Sequence, residues 1–88
     1  MYYVYVLKSK KDKQLYIGYT SNLKERLKQH NERKTYSTRQ RIPFKLAYYE
    51  AFSAQKDALI REKQLKQFKS AYGQLKKRIA NSLNDNKA

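Results

Sequence analysis

The chain opens on a nearly unbroken apolar and aromatic run, Met1 to Lys8, then turns polar through SKKDKQ before a second apolar run, LYIGYT. β-Branched and aromatic residues suit a half-buried pleated surface, so the pattern predicts two strands joined by a hairpin. The side-chain period of two places Tyr3, Tyr5 and Leu7 on one face of the first strand, and Tyr16, Gly18 and Thr20 on one face of the second. Asn22 followed by Glu25 has capping-box spacing, and Leu23 and Leu27 carry an amphipathic helix to about Arg33. Thr35 to Ile42 shows no clear period and is closed by Pro43, which predicts a loop with a single helical turn. Phe44 to Phe52, FKLAYYEAF, reads as a third strand, with Ser53 as the N-cap of a helix from Ala54 to about Lys69. After Ser70 a further helical segment, Ala71 to about Leu83, is weakened by Gly73, and a polar tail closes the chain. The expected fold class is α+β, a three-stranded mainly antiparallel sheet flanked by helices. One domain is expected over 1–83, with the tail at 84–88.

Composition narrows the function classes. Lys plus Arg number 21 against 7 Asp plus Glu, a formal charge of +14 on 88 residues. Such a surface calls for a polyanion, and nucleic acid is the commonest one. A membrane surface is the rival reading. No cysteine is present, which excludes disulfides, thiolate nucleophiles and Cys-ligated metals. The single histidine, His30, cannot build a multi-histidine site, and no two acidic residues lie within four positions of each other. Any metal must therefore be hard and oxygen-ligated. The first apolar run is too short for a signal segment or a membrane span, so a cytoplasmic location without membrane partners is expected.

Helical phase shows where charge meets the apolar stripes. Advancing about 100° per residue from Leu23 puts Arg26 and His30, four positions apart, within or at the edge of the first helix's stripe. The same reading from Ala58 and Leu65 brings Glu62 into the stripe of the longest helix. Unpaired buried charge is costly, so such residues have partners or a chemical role. Each also has a plain structural reading. Arg26 would bury its stem and His30 sit satisfied at the stripe's edge, Glu62 would form an ion pair with Arg26 as candidate partner, Tyr5 and Tyr16 would be ordinary strand residues, and Gly18 a bulge.

Taken jointly, these residues resemble the GIY-YIG nuclease superfamily, and in particular its small bacterial members related to an excision-repair nuclease subunit. The first motif corresponds to Tyr3-Val4-Tyr5 and the second to Tyr16-Ile17-Gly18, followed by Arg26 and His30 in NLKERLKQH and Glu62 in ALIREKQLK. The resemblance implies a metal-dependent endonuclease hydrolysing DNA phosphodiester bonds, in a DNA-repair setting, without a small-molecule cofactor. Tyr16 would act as general base or orient the attacking water, assisted by Tyr5. Arg26 would hold the scissile phosphate, His30 hydrogen-bond or relay a proton, Gly18 keep the backbone close, and Glu62 bind one divalent cation, Mg²⁺. A free phenol is ionised only about one part in a thousand at pH 7, so nearby positive charge is needed for a tyrosine base. Arg26 and the cation would supply it.

Three positions depart from the family pattern. Tyr3 stands where the first motif has glycine. Tyr19 stands where many members have a lysine, and neither Gln74 nor Asn81 matches an asparagine that many carry downstream of the glutamate. Low sequence specificity is expected, with structure preference or a protein partner supplying the rest. The alternative reading is a nucleic-acid-binding module of the same fold with little or no catalysis. On the nuclease reading the hydroxyls of Tyr5 and Tyr16, Arg26, His30 and Glu62 should converge on one concave patch, and Glu62 on the opposite side of the sheet from Tyr16 would count against it.

Overall fold

The structure, a computed structural model, describes residues 1–84. The tail expected at 84–88 thus lies, from residue 85 on, outside the described residues. Six elements follow in order: β1 (Tyr2–Ser9), β2 (Leu15–Thr20), α1 (Leu23–Asn31), β3 (Phe44–Phe52), α2 (Gln55–Gln67) and α3 (Lys69–Arg78). The strands form one antiparallel sheet in the order β2-β1-β3. The predicted α+β class and three-stranded sheet are what the chain forms.

Alternation divides the sheet into two faces with different tasks. Val4, Val6 and Ile17 point to one side, where Ala58 and Leu65 of α2, Leu75 of α3 and Ile79 close the larger core. Tyr5, Leu7 and Phe44 point to the other and pack with Tyr16, Leu23, Leu27 and Leu46, so α1 covers this face. The register places Tyr3 opposite Thr20, Tyr5 opposite Gly18 and Leu7 opposite Tyr16. The two predicted strand faces are therefore one continuous surface. A register irregularity between Val6 and Leu7 then shifts β3 so that Leu7 meets Leu46.

Local polar bonds fix the ends of α1. Asn22 Oδ1 accepts from the Glu25 backbone N–H at 3.1 Å, half of the expected capping box. The reciprocal bond comes from Thr20, whose Oγ1 accepts from the Asn22 N–H at 3.0 Å. At the other end Asn31 grips β3 with both halves of its amide, accepting from the Phe44 N–H at 2.7 Å and donating to the Phe44 carbonyl at 3.1 Å. Arg33, at φ 64°, turns the chain out of the helix.

The second half departs from the sequence reading in its boundaries. Ala54, without a side-chain cap bond, stands at the N-cap of α2 in place of Ser53. A cap is worth about 1 kcal/mol, less than burying Ala58 and Leu65 in phase. The helices part at Phe68, in extended conformation at φ −110° and ψ 114°, and not at Ser70. No glycine or proline marks that break. It redirects α3 so that Leu75 joins the core already holding Ala58 and Leu65. The segment beyond Arg78 continues as turns, with Leu83 N–H on the Ile79 carbonyl at 3.0 Å.

One ion pair fastens α2 to the sheet. Arg61 meets Glu50 of β3 through two guanidinium nitrogens, Nε at 2.9 Å and Nη2 at 2.9 Å, and Tyr48 donates to the same carboxylate at 2.7 Å. The Glu50 pKa is lowered: although burial opposes this, the bonds from Arg61 and Tyr48 outweigh it. The two side chains are only 19% and 25% exposed, so solvent cannot replace the lost partner. Glu50→Ala should cost about 2 kcal/mol in urea unfolding, whereas Glu32→Ala, which breaks the open Lys34–Glu32 pair, should stay within roughly 0.5 kcal/mol.

Candidate active site

The centre of the site is the crossing of Tyr5 over β2. Tyr5 is 1% exposed, and its ring lies over Gly18, its partner in the register. A Cβ built on Gly18 would come within 2.3 Å of the Tyr5 hydroxyl and 2.4 Å of the ring carbon bearing it. No glycine has a positive φ, so space, not backbone conformation, requires glycine at this position. The Tyr5 ring reaches across β2 through the room that the missing side chain leaves.

At the end of that reach stands His30, fully buried. Its Nε2 lies 3.0 Å from the Tyr5 hydroxyl and its Nδ1 lies 2.7 Å from Thr38 Oγ1. Burial, aided by the positive charge of Arg26, pushes the His30 pKa down to about 4. The ring is therefore neutral at pH 7, with one donor and one acceptor. With the Thr38 hydroxyl turned to the Thr35 carbonyl, 3.5 Å away, its oxygen is left to accept from Nδ1–H. Nε2 is then the acceptor for the Tyr5 proton. Burial raises the Tyr5 pKa, while the neighbouring Arg26 guanidinium acts in the opposite direction.

Tyr16 completes the aromatic group from the strand edge. Its ring centroid is 5.0 Å from that of His30, 6.4 Å from that of Tyr5 and 6.4 Å from that of Phe44. Unlike Tyr5, it is only partly buried. Arg26, one turn before His30 on α1, is steadied by Gln29 Oε1 at 3.1 Å.

Glu62 approaches from elsewhere. Its helix packs on the opposite face of the sheet from Tyr5 and Tyr16, so Glu62 does not share a face with them as the expected convergence required. Its charge is among those acting on the Tyr5 hydroxyl, and its partner Lys66, at 3.2 Å, holds its ammonium 6.0 Å from the Tyr16 ring centroid. The expected pairing of Glu62 with Arg26 is not what forms; the bond goes to Lys66 on the next turn. Among the described residues no group of three or more His, Asp or Glu side chains could hold a metal ion. A single carboxylate with hard oxygens nonetheless suits a hydrated magnesium ion, which commonly takes one or two carboxylates and completes its shell with water and substrate phosphate.

The sequence reading missed three contributors. Thr38 bonds the His30 ring at Nδ1, Asn31 clamps the helix that carries His30, and Lys66 holds Glu62. Only Lys66 left a readable signal, the i,i+4 spacing from Glu62. The partners of the other two lie eight and thirteen residues away in the chain.

This arrangement belongs to a known class of catalytic domain. The family model described as the GIY-YIG catalytic domain matches residues 1–79, and the chain belongs to that family. Among its relatives are UPF0213 proteins, one from Bacillus licheniformis, 49% identical over 59 residues covering 66% of this chain and 60% of that protein. Another, from Clostridium perfringens, is 46% identical over 67 residues, covering 75% and 71%. The solution NMR structure of the UPF0213 protein BH0048 from Bacillus halodurans shares 36% identity and a TM-score of 0.54, covering 85% of this chain and 82% of that one. None of these names states an activity. No helix among the described residues is long and apolar enough to cross a membrane.

Two outcomes follow from the geometry. Gly18→Ala should cost about 1–3 kcal/mol in denaturant unfolding, because the buried Tyr5 ring has no free space to move into. For His30, the unfolded chain takes up a proton near pH 6.5 and the folded chain only near pH 4. Stability should therefore fall as pH drops through this window, by up to about 3 kcal/mol. Unfolding of wild type and His30→Gln at intervals from pH 7 to 4 measures the difference, and the variant should lack that fall.

Proposed function

We propose that the chain is a metal-dependent endonuclease that hydrolyses DNA phosphodiester bonds with little sequence readout. The observation that carries this reading is the Tyr5–His30 pair, buried beside Arg26, with Tyr16 packed against the His30 ring. Arg26 would bind a phosphate oxygen and stabilise the charge that grows there in the transition state. Tyr16, the more accessible phenol, would orient the attacking water and take its proton. Tyr5, its own proton committed to His30, would offer its oxygen to that water and steady the pair. Glu62 would hold one divalent cation, Mg²⁺ by the hardness of its donor, which supplies positive charge at the phosphate and leaving oxygen. Lys66 must release Glu62 for this. The pair is one contact to a lysine that is 48% exposed, although the Glu62 side chain itself is only 21% exposed; an i,i+4 helix pair is worth about 0.3–0.5 kcal/mol, so its release is a small cost.

The charge of +14 suits a partner read through its backbone, and phosphate contacts carry no sequence information. Specificity would come from DNA structure or a protein partner, and we assign the activity to cytoplasmic DNA repair without a small-molecule cofactor. A second reading, a nucleic-acid-binding module with little catalysis, is favoured by the Lys66–Glu62 pair and by Tyr19 where many members have lysine.

Cleavage of supercoiled plasmid and branched DNA with and without Mg²⁺ separates the two. Glu62→Gln and Tyr16→Phe should each lower cleavage at least a hundredfold while the protein stays folded and bound to DNA. Arg26→Ala should lower both cleavage and binding. If about five phosphates are contacted, log K against log salt should slope near −4.5 on duplex DNA. Wild-type-like cleavage by Glu62→Gln and Tyr16→Phe would refute the catalytic reading.

A further inference from the structure

The loop between α1 and β3 carries an exposed aromatic residue that the proposed chemistry does not use. Tyr36 is 79% exposed, more than any other large apolar or aromatic side chain described. The guanidinium carbon of Arg39 lies 4.4 Å from its ring centroid. The loop beneath them is anchored at two points. Buried Thr38 is bonded to His30 at 2.7 Å. Arg41 holds Asp12 at 2.6 Å, and its backbone carbonyl accepts from Ser9 Oγ at 2.6 Å. Between Glu32 and Glu50 there is no acidic residue, whereas Arg33, Lys34, Arg39, Arg41 and Lys45 are all basic.

Such a loop offers a flat π-face and a cluster of cations together. An apolar protein partner would cover the ring and leave the charges uncompensated. A nucleotide answers both, its base stacking on the ring and its phosphate meeting the guanidinium. A base inside an intact duplex has no free face, since its neighbours occupy both. The ring therefore selects a base that has lost its partner or its stack, at a gap, a flap or a frayed end. Tyr36 is two residues from Thr38, about 7 Å of extended chain, and Thr38 bonds directly to the histidine that holds Tyr5.

We infer that Tyr36 and Arg39 form a stacking platform for an unpaired DNA base close to the phosphate held at Tyr5, Tyr16 and Arg26, giving preference for gapped or flapped DNA over intact duplex. This rests on the reading that the site engages DNA. Stacking of one base on an aromatic ring is sequence-tolerant and strong enough to give a preference of roughly tenfold.

The test is equilibrium binding in EDTA, where no cleavage occurs, of a duplex with a one-nucleotide gap opposite 2-aminopurine and of the same duplex intact. Wild type and Tyr36→Trp should favour the gapped form about tenfold and perturb the 2-aminopurine fluorescence. Tyr36→Ala should bring the affinity ratio close to one and abolish the perturbation. A ratio unchanged in Tyr36→Ala, or equal binding of both forms by wild type, overturns the inference, as does failure to bind either. If the Tyr36-dependent preference holds while neither DNA is cut in Mg²⁺, the nuclease reading fails and the platform stands.

Discussion

The structure depends on one steric fact: Tyr5 crosses β2 where Gly18 has no side chain. From that crossing the hydroxyl reaches His30, and the buried imidazole in turn reaches Thr38 in the loop beyond α1. A strand, a helix and a loop are thereby joined by two hydrogen bonds through one ring. All three side chains are withdrawn from water, so a break at any of them would leave an unpaired polar group inside, where it costs about 1–3 kcal/mol. The site and this part of the fold are built from the same contacts.

Charge is handled differently on the two faces of the sheet. On the face covered by α2 and α3, one of the few acidic residues, Glu50, is committed to Arg61 and Tyr48, which ties α2 to β3 and so sets where Glu62 emerges. Glu62, its side chain about as buried as that of Glu50, is bonded only to Lys66, which is half exposed. The first carboxylate is structural by the quality of its bonds, and the second is available because its bond is weak. Around both lies a basic surface that draws phosphate from any direction. The neutral histidine adds no charge to that field and serves as an oriented acceptor.

Much of the fold could be read from the sequence because its signals are local. The alternation in MYYVYVLK and LYIGYT placed Tyr5, Tyr16 and Gly18 on one face, and Asn22 with Glu25 marked the start of α1. Helical phase flagged Arg26, His30 and Glu62 as charges in apolar stripes. What could not be read depends on contacts between distant segments. Thr38 and Asn31 find partners across the fold, Thr20 replaces Glu25 in half of the cap, and the break at Phe68 serves the packing of Leu75. Phase alone also put Glu62 in its helix's stripe without showing that the helix lies across the sheet from the tyrosines.

Because the chain has a single histidine, the arrangement at its centre can be observed without interference. Long-range ¹H–¹⁵N correlation on uniformly labelled protein at pH 7 reports which imidazole nitrogen carries the proton. The account predicts a neutral ring protonated at Nδ1 toward Thr38, with Nε2 bare and accepting from Tyr5. A proton on Nε2, or a doubly protonated ring at that pH, would contradict it.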